Sequence, residues 1–197
     1  MSNKRRLFVD FDLTLVDSIK AYADTYNIMF KDHPDFTPAD PKMITEYDFS
    51  CICPLLTNKE DKKAMWNNPV FFDVLQFIDN DTLPVLKRLH EKYELIICTI
   101  GTPSNLALKA LWLKDNLPFI DNYILINNGN CEMSKSIVNM RGAIQIDDIP
   151  SNLEGNSEIK ILFGKEYPWN RGWYGERCLN WKSVEKRLLF AEKDRME

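Results

Sequence analysis

The sequence has few of the residues on which several classes of catalytic site depend. Its only histidines, His33 and His90, are distant in the sequence and leave little for a histidine-based or dinuclear metal mechanism. None of its five cysteines has an arginine six positions away, which excludes a cysteine-dependent phosphatase. The sequence also lacks the GxxxxGK[ST] loop that binds a nucleoside triphosphate.

Excess basic charge and long apolar runs are absent as well. The net charge is −4, and no basic run is longer than Lys4-Arg5-Arg6, so a nucleic-acid polymer is not an expected partner. No apolar run is long enough to cross a membrane, and the N-terminus reaches Asp10 after three apolar residues, which is not the pattern of a secretory signal. We therefore expect a cytoplasmic protein with reduced thiols and no membrane partner, and a homodimer remains open.

Short runs rich in isoleucine, leucine and valine predict the secondary structure. Helical patterns at 82–93 and 104–116 lie between such runs, and this alternation predicts an α/β fold: a five-stranded parallel sheet with helices on both faces. The tryptophan-rich tail at 167–181 is interpreted as a loop that packs on the core before a last helix at 183–192. The predicted strands are 5–10, 94–100, 122–127, 142–147 and 158–163.

About sixty residues separate the first strand from the helix that leads to the second, which is too long for an ordinary connection. Helical spacing at 18–32, with Ser18 as the capping residue, and at 59–66 and 70–77 predicts that this segment is a small helical cap. The expected division is a core of residues 1–17 and 78–197 with a cap of residues 18–77.

Ligands of open parallel sheets bind at the carboxyl ends of the strands, and several polar side chains are expected there. Carboxylates without histidine or thiolate partners suit a hard dication such as Mg²⁺. A nearby hydroxyl and ammonium group suit the oxygens of a phosphoryl group, so this edge indicates phosphoryl transfer. The expected side chains are those of Asp10, Asp12, Thr99, Lys135, Asp147 and Asp148.

Each of these features has a simpler explanation when it is taken alone. Asp147 and Asp148 suit a turn at the end of a strand, Thr99 suits a buried β-branched position, and Lys135 suits a solvated loop. Their coincidence at one edge of the sheet is what favours a catalytic site.

The same residues form four ordered motifs that resemble those of the haloacid-dehalogenase-like phosphohydrolases, whose core is a Rossmannoid fold. The motifs are DFDLT at 10–14, IICTIG around Thr99, Lys135, and the acidic pair in IQIDDIP. The resemblance implies that Asp10 is the nucleophile and forms an aspartyl-phosphate, and that Asp12 is the general acid and base. It also implies that Thr99 and Lys135 bind phosphoryl oxygens.

The resemblance further implies a Mg²⁺ ion held by the Asp10 carboxylate, the Asp12 main-chain carbonyl and one acid of the fourth motif. We favour Asp148 as the direct ligand, with Asp147 acting through water. With Thr99 in the phosphate role, the Thr14 hydroxyl is expected to stabilise the turn of the first motif.

The cap is expected to form the pocket for the leaving group. Aromatic and hydrogen-bonding side chains together suit a nucleobase, although an aromatic helical cap also needs a core of its own. These side chains are Tyr47, Phe49, Trp66, Phe71 and Phe72, together with Asp48 and Asn67.

Three segments resemble the 5′(3′)-deoxyribonucleotidases: NPVFF with LPVLKRL, ICT with KALWL, and RCLNW. In that family a lysine after the second motif assists at the phosphate, which implies this role for Lys109. Ile100 stands where the family often has a hydroxyl, so only its backbone N–H can donate to phosphate.

The expected activity is Mg²⁺-dependent hydrolysis of nucleoside monophosphates, with 5′- or 3′-deoxyribonucleotides favoured. Two alternatives stay open: hydrolysis of another phosphometabolite such as a sugar phosphate, and a non-catalytic binding protein with the same fold.

Overall fold

A six-stranded parallel sheet forms the centre of the computed structural model, which describes residues 4–128 and 134–190. Across the sheet the strands run in the order β3-β2-β1-β4-β5-β6, and every neighbouring pair is parallel. The connections change direction at β1, so its carboxyl end faces the crevice where open α/β sheets bind ligands. The strands are β1 (Arg5–Val9), β2 (Tyr93–Gly101), β3 (Tyr123–Asn127), β4 (Ile144–Asp147), β5 (Ile159–Phe163) and β6 (Glu176–Cys178).

The α/β fold with a parallel sheet and flanking helices is confirmed, but the sheet has six strands instead of the predicted five. The sixth, β6, lies in the tail that the sequence predicted to be a loop, and it pairs with β5 through Leu162 and Arg177. It has only three residues and no apolar run, so its pairing rather than its own composition makes it a strand.

Six α-helices and four short 3-10 helices are found in the described residues. Helix α1 begins at Ser18, but its cap is Asp17, whose carboxylate accepts a hydrogen bond from the N–H of Lys20 at 3.0 Å; the prediction that Ser18 caps this helix was wrong. The α-helices are α1 (Ser18–Phe30), α2 (Lys59–Trp66), α3 (Pro69–Val74), α4 (Thr82–Lys92), α5 (Pro103–Asn116) and α6 (Trp181–Phe190). The 3-10 helices are Pro41–Met43, Phe49–Ile52, Lys135–Ile137 and Pro150–Glu154.

The two faces of the sheet are covered differently. Alternate residues of β1 point to opposite faces: Leu7 and Val9 join a large hydrophobic cluster with α4, α5 and α6, whereas Phe8 joins a smaller one. On the smaller side the 3-10 helix Pro150–Glu154 is attached to the sheet by Gln145, whose amide donates to the Asn152 carbonyl at 2.8 Å. The long helices therefore pack on one face, and short 3-10 turns cover the other.

The segment between β1 and α4 leaves and re-enters the core at one place. The N–H of Asp17 donates to the Gln76 carbonyl at 3.0 Å, and the N–H of Ile78 donates to the Leu15 carbonyl at 2.9 Å. The buried side chains of the inserted helices belong to the same hydrophobic cluster as the sheet, so the insertion packs directly on the core. Within the described ranges, no helix is long and apolar enough to span a membrane.

Candidate active site

Asp10 stands immediately after β1, and the neighbouring strand fixes its position. Its backbone N–H donates to the Ile146 carbonyl of β4 at 3.0 Å, which continues the parallel pairing by one residue. The side chain is buried, with only 6 % of the residue exposed, so the carboxylate lies at the floor of the crevice rather than in solvent.

Asp12 lies in the turn that follows, and its two carboxylate oxygens have different partners. The Ser18 hydroxyl donates to Oδ1 at 2.7 Å, and the Lys109 ammonium pairs with Oδ2. The next residue, Leu13, has a φ of 52°, a left-handed conformation that costs a non-glycine residue about 1 kcal/mol or more. This turn redirects the chain after β1 while the two hydrogen-bond partners orient the Asp12 carboxylate.

Thr14 does not have its expected role. Its hydroxyl is buried without a hydrogen-bond partner among the described residues, and it is the Thr14 carbonyl that accepts a hydrogen bond, from the Trp181 indole N–H at 2.9 Å. The turn is therefore held through the Thr14 backbone and not through its side chain.

Lys135 is a buried cation between two carboxylates. Its ammonium contacts Asp10 Oδ1 and lies 2.6 Å from Asp147 Oδ2. Burial alone would lower the pKa of Lys135, but the charges of Asp10 and Asp147 outweigh burial and raise the pKa above its ordinary value. Lys135 therefore remains protonated and offsets part of the negative charge at this edge of the sheet.

Ionisation of Asp10 is unfavourable even though Lys135 lies beside it. Burial raises the pKa of Asp10 to about 7; Lys135 opposes the shift, whereas Asp147 and Asp12 add to it. A further cation at this place would favour the ionised form that a nucleophile requires.

The two acids after β4 have different surroundings. Asp147 is fully engaged: its Oδ1 accepts from the Ile149 N–H and the Asn152 amide, both at 3.0 Å, and its Oδ2 accepts from Lys135. Asp148 Oδ2 is buried and has no hydrogen-bond partner in the described part of the chain. Burial, followed by the charges of Asp10 and Asp147, raises the pKa of Asp148 well above its usual range.

These three carboxylates fit a divalent cation. Asp10, Asp147 and Asp148 each offer an oxygen, and the three oxygens lie within 4.8 Å of one another. An all-oxygen donor set with a buried, unpaired carboxylate oxygen is suited to Mg²⁺. Because Asp147 is already bonded on both oxygens, Asp148 has the oxygen that is free to bind an ion directly.

Lys109 is buried behind Asp12 and contacts the protein on several sides. Its ammonium donates to the Thr99 hydroxyl at 2.9 Å and to the Ile100 carbonyl at 3.1 Å, and it lies 5.1 Å from the centroid of the Phe11 ring. The structure thus brings Lys109 together with Asp12 and Thr99, and its immediate effect is to orient those two groups.

A cavity of about 490 Å³ opens above the carboxylates. The predicted Tyr47, Phe49 and Trp66 line it, and Trp169 from the tail joins them, with ring centroids 5.8 Å from Tyr47 and 6.4 Å from Phe49. The sequence had indicated only core packing for Trp169. The lining residues that the sequence analysis did not single out as site residues also include Leu13, Asn128, Ile149, Ser151 and Asn152.

The other cap residues that the sequence singled out have structural contacts outside this cavity. Phe71 is fully buried against Trp66, with ring centroids 5.4 Å apart, and Phe72 packs on Phe71. The Asn67 side-chain oxygen accepts from the Thr102 hydroxyl at 2.8 Å, which ties the end of α2 to the start of α5.

Similar folds occur in several solved structures, although the sequence identities are low. The structure of YfnB from Bacillus subtilis, described as a HAD-hydrolase bound to magnesium, has a TM-score of 0.63 at 12 % identity and covers 95 % of this chain and 99 % of its own. A predicted phosphatase from Clostridium acetobutylicum gives 0.59 at 13 % identity, covering 96 % and 100 %. A Thermotoga maritima protein described as a beta-phosphoglucomutase gives 0.58 at 14 % identity, covering 96 % and 99 %.

At these identities the similarity establishes the fold and not the substrate. None of the curated protein sequences compared with the chain matches it. A family model does match, over residues 4–194, and it is described as 5′ nucleotidase, deoxy (pyrimidine), cytosolic type C protein. The matched range contains β1, the inserted helices and all the carboxylates of the site, and the chain therefore belongs to this family of HAD-like phosphatases.

Proposed function

We propose that the protein is a Mg²⁺-dependent hydrolase of nucleoside monophosphates, with deoxyribonucleotides favoured. The observation that carries the proposal is the pairing of the buried Asp10 with Lys135, beside the unpaired Asp148 oxygen, at the floor of a cavity walled by aromatic rings. A nucleophile, a cation and an open ligand position are what phosphoryl transfer requires, and the aromatic walls suit a flat base.

In the proposed first step, an Asp10 oxygen attacks phosphorus and the bond from phosphorus to the ester oxygen breaks, which gives an aspartyl-phosphate. Asp12 protonates the departing oxygen, and it then takes a proton from the water that hydrolyses the aspartyl-phosphate. Ser18 and Lys109 hold the Asp12 carboxylate during both steps. Lys135 offsets the charge that Asp10 and the phosphoryl oxygens share.

Mg²⁺ would be held by the Asp10 carboxylate, the Asp12 main-chain carbonyl and Asp148, with Asp147 outside the direct ligands. The unpaired Asp148 oxygen and the full hydrogen bonding of Asp147 support this assignment. When bound, the ion would neutralise negative charge on the phosphoryl group. Thr99 and the Ile100 N–H complete the proposed phosphate site, and Lys109 assists through Thr99.

The base is proposed to bind among Tyr47, Phe49, Trp66 and Trp169. Tyr47 is 55 % exposed although it borders the cavity, so its ring is available to a ligand. Trp169 is held in place by Tyr167, whose ring stacks on it at 4.4 Å with the planes 8° apart. A rigid aromatic wall loses little conformational entropy on binding and favours a planar ligand.

A second candidate is a sugar phosphate, because Asn128, Ser151 and Asn152 also line the cavity and offer hydrogen bonds to hydroxyl groups. In either case the proposed partner is a small phosphomonoester.

The four cysteines in the described residues are all free thiols, which supports a cytoplasmic location.

Phosphate release from a panel of nucleotides and sugar phosphates, with and without Mg²⁺, tests the substrate. Turnover of sugar phosphates with none of any nucleotide would overturn the nucleotide assignment and leave the phosphatase assignment intact. Asp10→Asn tests the mechanism, because it removes the nucleophile at nearly constant shape; hydrolysis should fall to background. Asp115→Asn, on the exposed side of α5, is the matched control and should behave as the wild type.

A further inference from the structure

A second cavity of about 440 Å³ adjoins the first and is lined by a different kind of side chain. The two cavities share six lining residues, so they are neighbouring parts of one cleft: Asp12, Tyr47, Phe49, Trp66, Ile100 and Asn128. The wall that belongs only to the second cavity includes three lysines of α2, namely Lys59, Lys62 and Lys63.

The geometry of α2 explains why these lysines face the cleft. Positions 59, 62 and 63 are spaced i, i+3 and i+4, so they share one face of the helix, and Trp66 continues that face by one further turn. Glu60 and Asp61, which lie between these lysines in the sequence, are not among the residues that line the cavity. Asp61 lies in the first turn, where its N–H donates at 2.8 Å to the side-chain oxygen of Asn58, the residue that caps the helix. The helix thus directs its basic residues toward the cleft.

The charge of this cavity is positive after its ion pairs are counted. Four lysines and two aspartates line it. Lys109 pairs with Asp12, and Lys62 pairs with Asp48 at 3.0 Å. Lys59 and Lys63 have no ion-pair partner within the described residues, so they leave two unpaired positive charges. Carboxylates dominate the first cavity, so the cleft changes sign along its length.

We propose that this cavity binds a second phosphate of the substrate, and that the preferred substrates are nucleoside 3′,5′-bisphosphates. This inference rests on the proposed function. Within the described residues, no buried carboxylate cluster lines the second cavity, so it cannot repeat the chemistry at Asp10, but it can hold a phosphate dianion while the other phosphate reacts. Because Tyr47, Phe49 and Trp66 line both cavities, one nucleoside between two phosphates can occupy the whole cleft.

The test compares kcat/KM for a nucleoside 5′-monophosphate and the corresponding 3′,5′-bisphosphate in three proteins. The wild type should prefer the bisphosphate about tenfold, because a partly exposed ion pair contributes a few-fold per contact. In Lys59→Gln/Lys63→Gln the ratio of the two values should fall to about one. Lys87→Gln/Lys114→Gln removes the same charge from exposed helix positions that line neither cavity, and it should keep the wild-type ratio.

Salt provides a second readout, since screening weakens exposed ion pairs. The preference for the bisphosphate should decrease in the wild type when NaCl is raised from about 50 to about 500 mM, because the screening length falls over this range. In Lys59→Gln/Lys63→Gln the preference should not change with salt. A preference that survives in the double variant, or its absence in the wild type, would overturn the second-phosphate site while leaving monophosphate hydrolysis intact.

Failure of the proposed function has a different signature, namely no turnover of either nucleotide. In that case binding decides the question: calorimetry on Asp10→Asn with each nucleotide should still give tighter binding of the bisphosphate. Equal affinities would overturn the second-phosphate site independently of catalysis.

Discussion

Replacing Lys135 by methionine should destabilise the protein because it leaves buried carboxylates without their cation. Lys135 is only 3 % exposed, and the side chains of Asp10 and Asp147 are 7 % and 1 % exposed. Methionine is close to lysine in length and apolar, so Lys135→Met removes the charge without opening a large cavity. The main effect is therefore electrostatic.

Breaking a buried ion pair by removing one partner costs about 3–5 kcal/mol. Asp147 keeps its hydrogen bonds from Ile149 and Asn152, whereas Asp10 loses the cation that opposes its desolvation. We therefore expect a loss of about 3–5 kcal/mol in the free energy of unfolding at pH 8, a large part of the total of about 5–15 kcal/mol for a domain.

The loss should become smaller at low pH. The folded-state pKa of Asp10 is raised to about 7, chiefly by burial, and lies above the value of about 3.9 for an unfolded chain. Below the unfolded pKa, an acid whose folded-state pKa is raised does not destabilise the fold. As the pH rises from that value through the folded pKa, ionisation of the buried carboxyl increasingly destabilises the fold. Removing Lys135 raises that pKa further, so the difference from wild type should grow from pH 5 to pH 8.

Urea unfolding in the presence of EDTA, followed by tryptophan fluorescence at pH 5 and pH 8, measures both effects. Lys114→Met, at an exposed position of α5, is the control and should stay within about 0.5 kcal/mol of wild type. A loss below about 1 kcal/mol at pH 8, or a loss that grows as the pH falls, would refute the assignment of Lys135 as a necessary buried counter-charge.

Three further predictions concern the metal and the base. Mg²⁺ affinity, measured by calorimetry, should rise from pH 6 to pH 8, because burial raises the pKa of Asp10 to about 7 and the ion binds the deprotonated form; a constant affinity would contradict this. Asp148→Asn should weaken Mg²⁺ binding at least about tenfold, and more than Asp147→Asn does; equal losses would argue against Asp148 as the direct ligand. Trp169→Ala should raise KM for a nucleotide about three- to tenfold with little effect on KM for p-nitrophenyl phosphate, and equal effects on both would argue against base stacking.

The parts of the fold that the sequence predicts are those in which local composition and tertiary environment agree. The strands β1 to β5 are short runs of large aliphatic residues because the sheet buries them, and their ends place Asp10, Thr99 and Asp147 at one edge. Strand β6 has no such run. It forms because β5 offers an unpaired edge, and this information lies in the neighbouring strand.

The candidate site likewise has residues that the sequence predicts and contacts that depend on tertiary packing. Acids at strand ends can be predicted from spacing, but the contact between Lys109 and Asp12 joins positions 97 residues apart and depends on the packing of α5. Trp169 was expected only to pack on the core, and its place at the cavity was missed because a tryptophan in a loop serves equally well as core or as cavity wall. The lysines of α2 lie in a mixed run of charges, KEDKK, which in the sequence is typical of a solvated helix face.

Asp12, the proposed general acid, is connected to the inserted segment as well as to the sheet. Ser18 is the first residue of α1, and its hydroxyl donates to Asp12, so the start of the insertion touches a group that would take part in both chemical steps. At the other side of the cleft, the Asn105 amide of α5 donates to the Trp66 carbonyl at 2.7 Å, which fixes the end of α2. Both contacts cross from the core to the inserted helices. The insertion that is proposed to select the substrate therefore also orients the Asp12 carboxylate, and substitutions there should alter kcat as well as KM.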